Sequence, residues 1–203
     1  MRFGLVTEID SWMIENAANA HANYSVPAHS LQFSINLSAN AFENDDLVEH
    51  IEKCFEEYNV PPQGHIFGIT ESLAVRHPLH VERQIAALRD MGCRLALDDF
   101  GTGYSSFSYR QKLQFDYIKI DGTFVEDIIN NPVDQKMIRL IAEIGEEAGM
   151  EIVAEYVKSM ALLGDLGVDL AQGYLVGRPT PKPEHESTPI SLDARRDRSI
   201  ANV

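Results

Sequence analysis

Along this 203-residue chain, short apolar runs alternate with stretches of helical periodicity, joined by short connections. Parallel strands cannot be joined by a hairpin and need a crossover between them, so this alternation points to an α/β fold with a parallel sheet. The runs Leu31–Leu37, His65–Thr70, Leu95–Leu97 leading into Asp98, Phe115–Ile120, Glu151–Ala154 and Val168–Leu170 are predicted as six strands. Ile9, Trp12, Met13, Ala17 and Ala20 repeat at helical spacing near the start. Leu47, Ile51, Cys54 and Phe55 form a stripe closed by Asn59 and Pro61-Pro62, and Val81, Ile85, Leu88 and Met91 form one stopped by Gly92. Met137, Ile141, Ile144 and Ala148 make a helix ending at Gly149, and Leu162, Leu163 and Leu166 a short one. Trp12, Phe42 and these stripes are expected in the core. A closed (β/α)₈ barrel needs eight strands, so six leave either an incomplete barrel or an open sheet.

Polar residues stand at nearly every predicted strand end: Asn36, Glu71, Asp98 with Asp99, Lys119 with Asp121, Glu155 and Gln172. In an α/β barrel that face carries the active site, assembled from several strands. Asp98 and Asp99 are the sharpest feature. Successive strand side chains point to opposite faces, so two converging carboxylates require the strand to end or twist there. Two carboxylates held close repel, and a divalent cation relieves them. Gly101 and Gly103 supply backbone freedom for a tight loop directly afterwards. The plain alternative is a solvated acidic pair at a strand exit. Asn36 is either an oxygen ligand or a cap of the following turn. Lys119 is either functional or simply paired with Asp98 or Asp121, and Gln172 either a site residue or a surface residue.

Hydrophobic content of 44% and charged content of 24% are those of a globular protein. The net charge of −14 argues against gripping long nucleic acid through a basic face. A small phosphorylated ligand remains compatible, provided metal ions supply positive charge. The two cysteines, Cys54 and Cys93, make no disulfide framework and match no zinc spacing. His77 and His80 read as isolated surface histidines rather than ligands. Met1–Asp10 lacks a signal-peptide core and no run has membrane-spanning length, so a cytoplasmic location without membrane insertion is expected. The prolines from Pro179 to Pro189 and the charged run Asp193 to Arg198 predict a domain over 1–181 and a flexible tail over 182–203.

Taken together, the strand ends resemble the EAL-domain family of bacterial cyclic-di-GMP phosphodiesterases. The matching segments are Gly4-Leu-Val with Ile9-Asp-Ser-Trp, Asn36-Leu-Ser-Ala, Ile69-Thr-Glu-Ser, Asp98-Asp-Phe-Gly-Thr-Gly-Tyr-Ser-Ser, Tyr117-Ile-Lys-Ile-Asp, Ala154-Glu, and Gln172-Gly-Tyr with Gly177-Arg-Pro. The resemblance implies a (β/α)₈-type barrel with one strand reversed, and Mg²⁺- or Mn²⁺-dependent hydrolysis of cyclic-di-GMP to linear pGpG. It implies Asp98 as a bridging metal ligand, Asn36 on one metal, and Asp99 and Glu155 on the other. Lys119 and Glu155 are then catalytic, Gln172 and Asp121 contact substrate, and Glu71 braces the loop after Asp98-Asp99.

The departures from the family pattern carry equal weight. The name-giving Glu-Ala-Leu strand is absent, and with it the first strands, roughly a fifth of a barrel of about 250 residues. Gly68 stands at a family glutamate, Lys158 at a family acid, and Gly122 at a common arginine. The implied reading is a degenerate, catalytically impaired member: a regulatory or ligand-binding module with weakened metal affinity. Its exposed barrel edges would be covered by a second copy or a protein partner. Three other readings stand beside it. One is an active phosphodiesterase whose missing strands come from a longer form or a partner. Another is a barrel lyase in which Lys119 forms a Schiff base. The last is a truncated gene product.

Overall fold

A computed structural model describes residues 3–23, 31–76, 78–101, 114–157, 160–180 and 199–202. The first helix, α1 (Phe3–Ala22), buries Asp10, Ile14, Ala17, Ala18 and His21 along one face. Trp12 is therefore not a core residue: it is 62% exposed, beside exposed Leu5 and Ile9 on the opposite side of the helix. Apolar residues occupy so much of the circumference of α1 that periodicity alone does not choose the buried side. Tertiary packing does, with Ala17 and Ala18 fully buried.

From α1 the chain enters β1 (Leu31–Asn36), α2 (Ala39–Glu43) and α3 (Leu47–Tyr58). Ser38 caps α2, its Oγ accepting from the Ala41 N–H at 3.2 Å. Asp10 of α1 in turn accepts from the Ser38 hydroxyl at 2.5 Å and its N–H at 3.1 Å, which fixes the turn after β1. Helix α3 buries the stripe that its periodicity predicts and ends at Asn59, in the left-handed region at φ 52°. Next come β2 (His65–Thr70), α4 (Glu71–Arg76) and α5 (Pro78–Met91), the last stopped by Gly92 as expected. Strand β3 (Arg94–Phe100) carries the aspartate pair. The remaining elements are β4 (Tyr117–Ile120), α6 (Gly122–Val125), α7 (Pro132–Ala148), β5 (Glu151–Ala154), α8 (Met160–Asp165), β6 (Leu170–Ala171) and β7 (Ser199–Asn202). The six predicted strands are thus β1 to β6. Helices α2, α4 and α6 are too short to show a period.

The chain falls into two compact units that divide within β3, after Ala96. In the first, hydrogen-bonded neighbours run β7-β1-β2-β3, and in the second β3-β4-β5-β6. β1 and β2 are parallel with Asn36 opposite Gly68, and β4 and β5 are parallel with Ile120 opposite Ala154. β5 and β6 are parallel as well. Phe33, Ile35, Phe42, Ile51 and Phe67 fill the first core, and Leu97, Tyr117, Ile118, Ile138 and Ile152 the second. Each such side chain contributes roughly 1.5–3 kcal/mol relative to exposure. Within the expected tail, Ser199–Asn202 form the strand beside β1. The expectations for Gly103, His77 and Lys158 fall outside the described residues. Among the described residues no helix is long and apolar enough to cross a membrane.

Candidate metal centre

The site in the second unit starts from one backbone irregularity. Asp99 has φ 54°, a left-handed conformation that aspartate adopts more readily than most residues. It breaks the strict alternation of β3 at the point where convergence of Asp98 and Asp99 demands it. Gly101 follows at φ 103°, and a Cβ there would stand 2.7 Å from the ring of Phe124. Glycine is thus required at 101 for both torsion and space.

β4 delivers Lys119, which is 3% exposed. Its ammonium donates to Asp98 Oδ2 at 3.0 Å and to Glu155 Oε1 at 2.7 Å, Glu155 being the residue immediately after β5. Asp98, Asp99 and Glu155 bring carboxylate oxygens within 4.8 Å of one another. Three carboxylates against one ammonium leave an excess of negative charge. The pKa of Asp99 is raised by burial and by Asp98 and Asp121, against the pull of Lys119. That of Glu155 is raised by burial, then by Asp98 and Asp99, again against Lys119. Burial pulls the Lys119 pKa down, but attraction and hydrogen bonds from Asp98 and Glu155 outweigh it and hold the ammonium charged. A Schiff-base lysine has to offer a neutral amine, so this environment disfavours the lyase reading. An all-oxygen donor set with surplus negative charge fits a hard divalent cation.

The other predicted residues take distinct positions. Gln172 is adjacent to Glu155 through the backbone: its N–H donates to the Ala154 carbonyl at 2.8 Å, and its carbonyl accepts from Val157 at 3.2 Å. Asp121 caps α6, accepting from the Thr123 N–H at 2.9 Å. Asn36 and Glu71 belong to the first unit. Asn36 ends β1 and is not the cap of α2, a task that Ser38 performs. Glu71 opens α4 and is buried. Sequence reasoning missed Asp10, whose signal is an acid in register with Ile14 and Ala17 on the buried face of α1.

A family model described as the EAL domain matches residues 1–179. The chain belongs to the EAL domain family. Over 183 residues this EAL chain is 36% identical to the cyclic di-GMP phosphodiesterase PdeB of Shewanella oneidensis, covering 89% of this chain and 21% of that protein. The chain spans about a quarter of the length of the curated relatives it matches. Among solved structures it is similar to the PaMucR phosphodiesterase in complex with c-di-GMP, with a TM-score of 0.81 and 29% identity over 89% of this chain and 74% of that one. It is also similar to Klebsiella pneumoniae BlrP1, solved in calcium and manganese complexes with cyclic-di-GMP, at a TM-score of 0.76 and 27% identity over 88% and 45% of the two chains. The expected α/β fold of the EAL kind is borne out by these likenesses.

Proposed function

We propose that this EAL chain is a metal-dependent receptor for cyclic-di-GMP whose capacity to hydrolyse it to pGpG is impaired. The cluster of Asp98, Asp99 and Glu155 about the buried Lys119 carries the binding half of this reading. These carboxylates would hold Mg²⁺ or Mn²⁺. When bound, the cation supplies charge screening for a phosphodiester and acidity for a water. Lys119 keeps Asp98 and Glu155 in place and remains an ammonium able to face a phosphate. Gln172 offers an amide beside Glu155, while Asp121 contributes through the α6 turn that it caps. Glu71, buried at the head of α4, serves structure.

The impaired half rests on β1 and β2. Asn36 retains the ligand type that the family pattern places there, but its register partner is Gly68, where that pattern has a glutamate. Glycine has no oxygen donor on its side chain, so one of the family's two cation sites loses a charged ligand, and with it much of a two-metal rate.

The test is a thermal melt of the chain with cyclic-di-GMP and Ca²⁺, followed by assay of pGpG with Mn²⁺. The expected result is a melting temperature raised by several degrees in wild type and unmoved in Asp98→Ala, with little pGpG formed. A melt indifferent to the nucleotide overturns the receptor reading. Rapid turnover by this chain overturns the impairment, and turnover only in a longer form carrying a Glu-Ala-Leu strand favours a phosphodiesterase completed by that strand.

A further inference from the structure

One other group of metal-type side chains exists among the described residues: Glu15, His50 and Cys54, all within the first unit. His50 and Cys54 are four residues apart on α3 and so share one face of that helix. Glu15 reaches them from α1, which packs against α3. His50 Nε2 lies 3.8 Å from Cys54 Sγ and 3.8 Å from Glu15 Oε1, and the three donor atoms are all within 4.8 Å of one another. At 3.8 Å the imidazole and carboxylate are beyond hydrogen-bond reach though within ion-pair distance, and His50 is in hydrogen-bond contact with the Cys54 sulfur. Bonds of about 2.3 Å to sulfur and about 2.0–2.2 Å to nitrogen or oxygen give a tetrahedral zinc site edges of about 3.4–3.6 Å. The two edges at His50 need to shorten by only a few tenths of an ångström on that scale. Glu15 is half exposed and can swing to close the third.

The donor chemistry is as informative as the spacing. A thiolate, an imidazole and a carboxylate suit a borderline-soft ion and not Mg²⁺ or Ca²⁺, which take oxygen ligands. The thiolate and carboxylate together also neutralise a divalent charge. We propose that Glu15, His50 and Cys54 bind a zinc-class divalent ion that clips α1 to α3, with water as the fourth ligand. Burial, then Glu15 and Glu57, pushes the Cys54 thiol up to about 11, so without metal it keeps its proton. Coordination releases that proton to solvent as the sulfur–metal bond forms.

The test is titration of the full chain with Co²⁺ and Zn²⁺ in excess Mg²⁺, which saturates all-oxygen sites. The expected result is one Co²⁺ per chain showing a thiolate-to-cobalt charge-transfer band, displaced by Zn²⁺ and lost in Cys54→Ala. Zn²⁺ raises the melting temperature of wild type but not of His50→Gln, and Glu15→Ala weakens Zn²⁺ at least tenfold. His50 is only partly buried, so His50→Gln keeps the test decisive if Cys54→Ala fails to fold. Absence of the band, its persistence in Cys54→Ala, or Zn²⁺ affinity unchanged in His50→Gln overturns the proposal.

Discussion

The ring of Tyr156 lies where any side chain on Gly122 would have to go. A Cβ added to Gly122 would stand 2.2 Å from Tyr156 Cδ2. Tyr156 achieves this at φ 53°, a left-handed conformation unusual for a tyrosine. Its backbone is hemmed in by Gly173, whose added Cβ would meet Val157 N at 2.6 Å. The family resemblance commonly implies an arginine at 122, so the space such a side chain would need is taken here by the ring of Tyr156. Gly122→Arg alone is expected to expel the ring and cost about 1–2 kcal/mol. In a Tyr156→Gly background that cost should vanish. A double-mutant cycle by urea unfolding measures the coupling, expected to be about 1 kcal/mol or more. Simple additivity would show that the two positions are independent.

Removing the ammonium from the acidic cluster should be severe. Lys119→Met leaves Asp98 and Glu155 unbalanced within the protein, which costs about 3–5 kcal/mol for a buried pair. Ca²⁺ should recover part of that loss, because a divalent ion satisfies the same oxygens. Urea midpoints with and without Ca²⁺ read both effects. A variant that ignores Ca²⁺ would speak against the carboxylates as a cation site.

His65 makes folding sensitive to acid. Its ring is buried against Phe55, with centroids 4.4 Å apart, and against His21 at 5.0 Å. Burial and then His21 lower its pKa from 6.5 to about 4. The folded pKa is depressed, so below about pH 6.5 the unfolded chain binds a proton that the folded chain refuses. Stability present above about pH 6.5 is therefore lost as pH falls towards about 4, by about 3 kcal/mol over the whole window. Urea unfolding at about pH 7 and about pH 4.5 should show wild type losing more than His65→Leu, by most of that amount. Equal losses in the two proteins would remove His65 as the cause.

The proposed impairment predicts a gain of function. Gly68→Glu places a carboxylate opposite Asn36 in the register of β1 and β2. With Mn²⁺, pGpG formation should rise at least tenfold, equivalent to about 1.4 kcal/mol of barrier. Product appearance by chromatography checks it. No increase in a folded variant that still binds the nucleotide would mean that the missing donor is not what limits turnover.

Much of this was legible in the residues. Asp98 and Asp99 announced a strand that must lose its alternation, and Asp99 does so through its left-handed backbone. Asn59, Gly92 and Gly149 marked helix ends because a reversal into positive φ has a local chemical signature. Trp12 was misplaced because α1 offers apolar residues on opposing sides, and only tertiary packing decides between them. Lys119 posed a choice between Asp98 and Asp121 that spacing does not settle. The structure pairs it with Asp98 and Glu155, while Asp121 is engaged by Thr123. Glu155 lies 36 positions further along the chain than Lys119, a separation no local pattern can bridge. The strand at Ser199–Asn202 gave no notice amid a polar tail.

Three carboxylates and one ammonium leave the cluster at a formal charge of −2, that of a single divalent ion in reverse. The first cation neutralises it. A second meets no remaining attraction until an anion accompanies it, so on the proposed reading phosphodiester and cation occupancy would be thermodynamically linked, each raising the affinity for the other. A receptor of the proposed kind would act as a coincidence detector, reporting the nucleotide only as strongly as the free cation level permits.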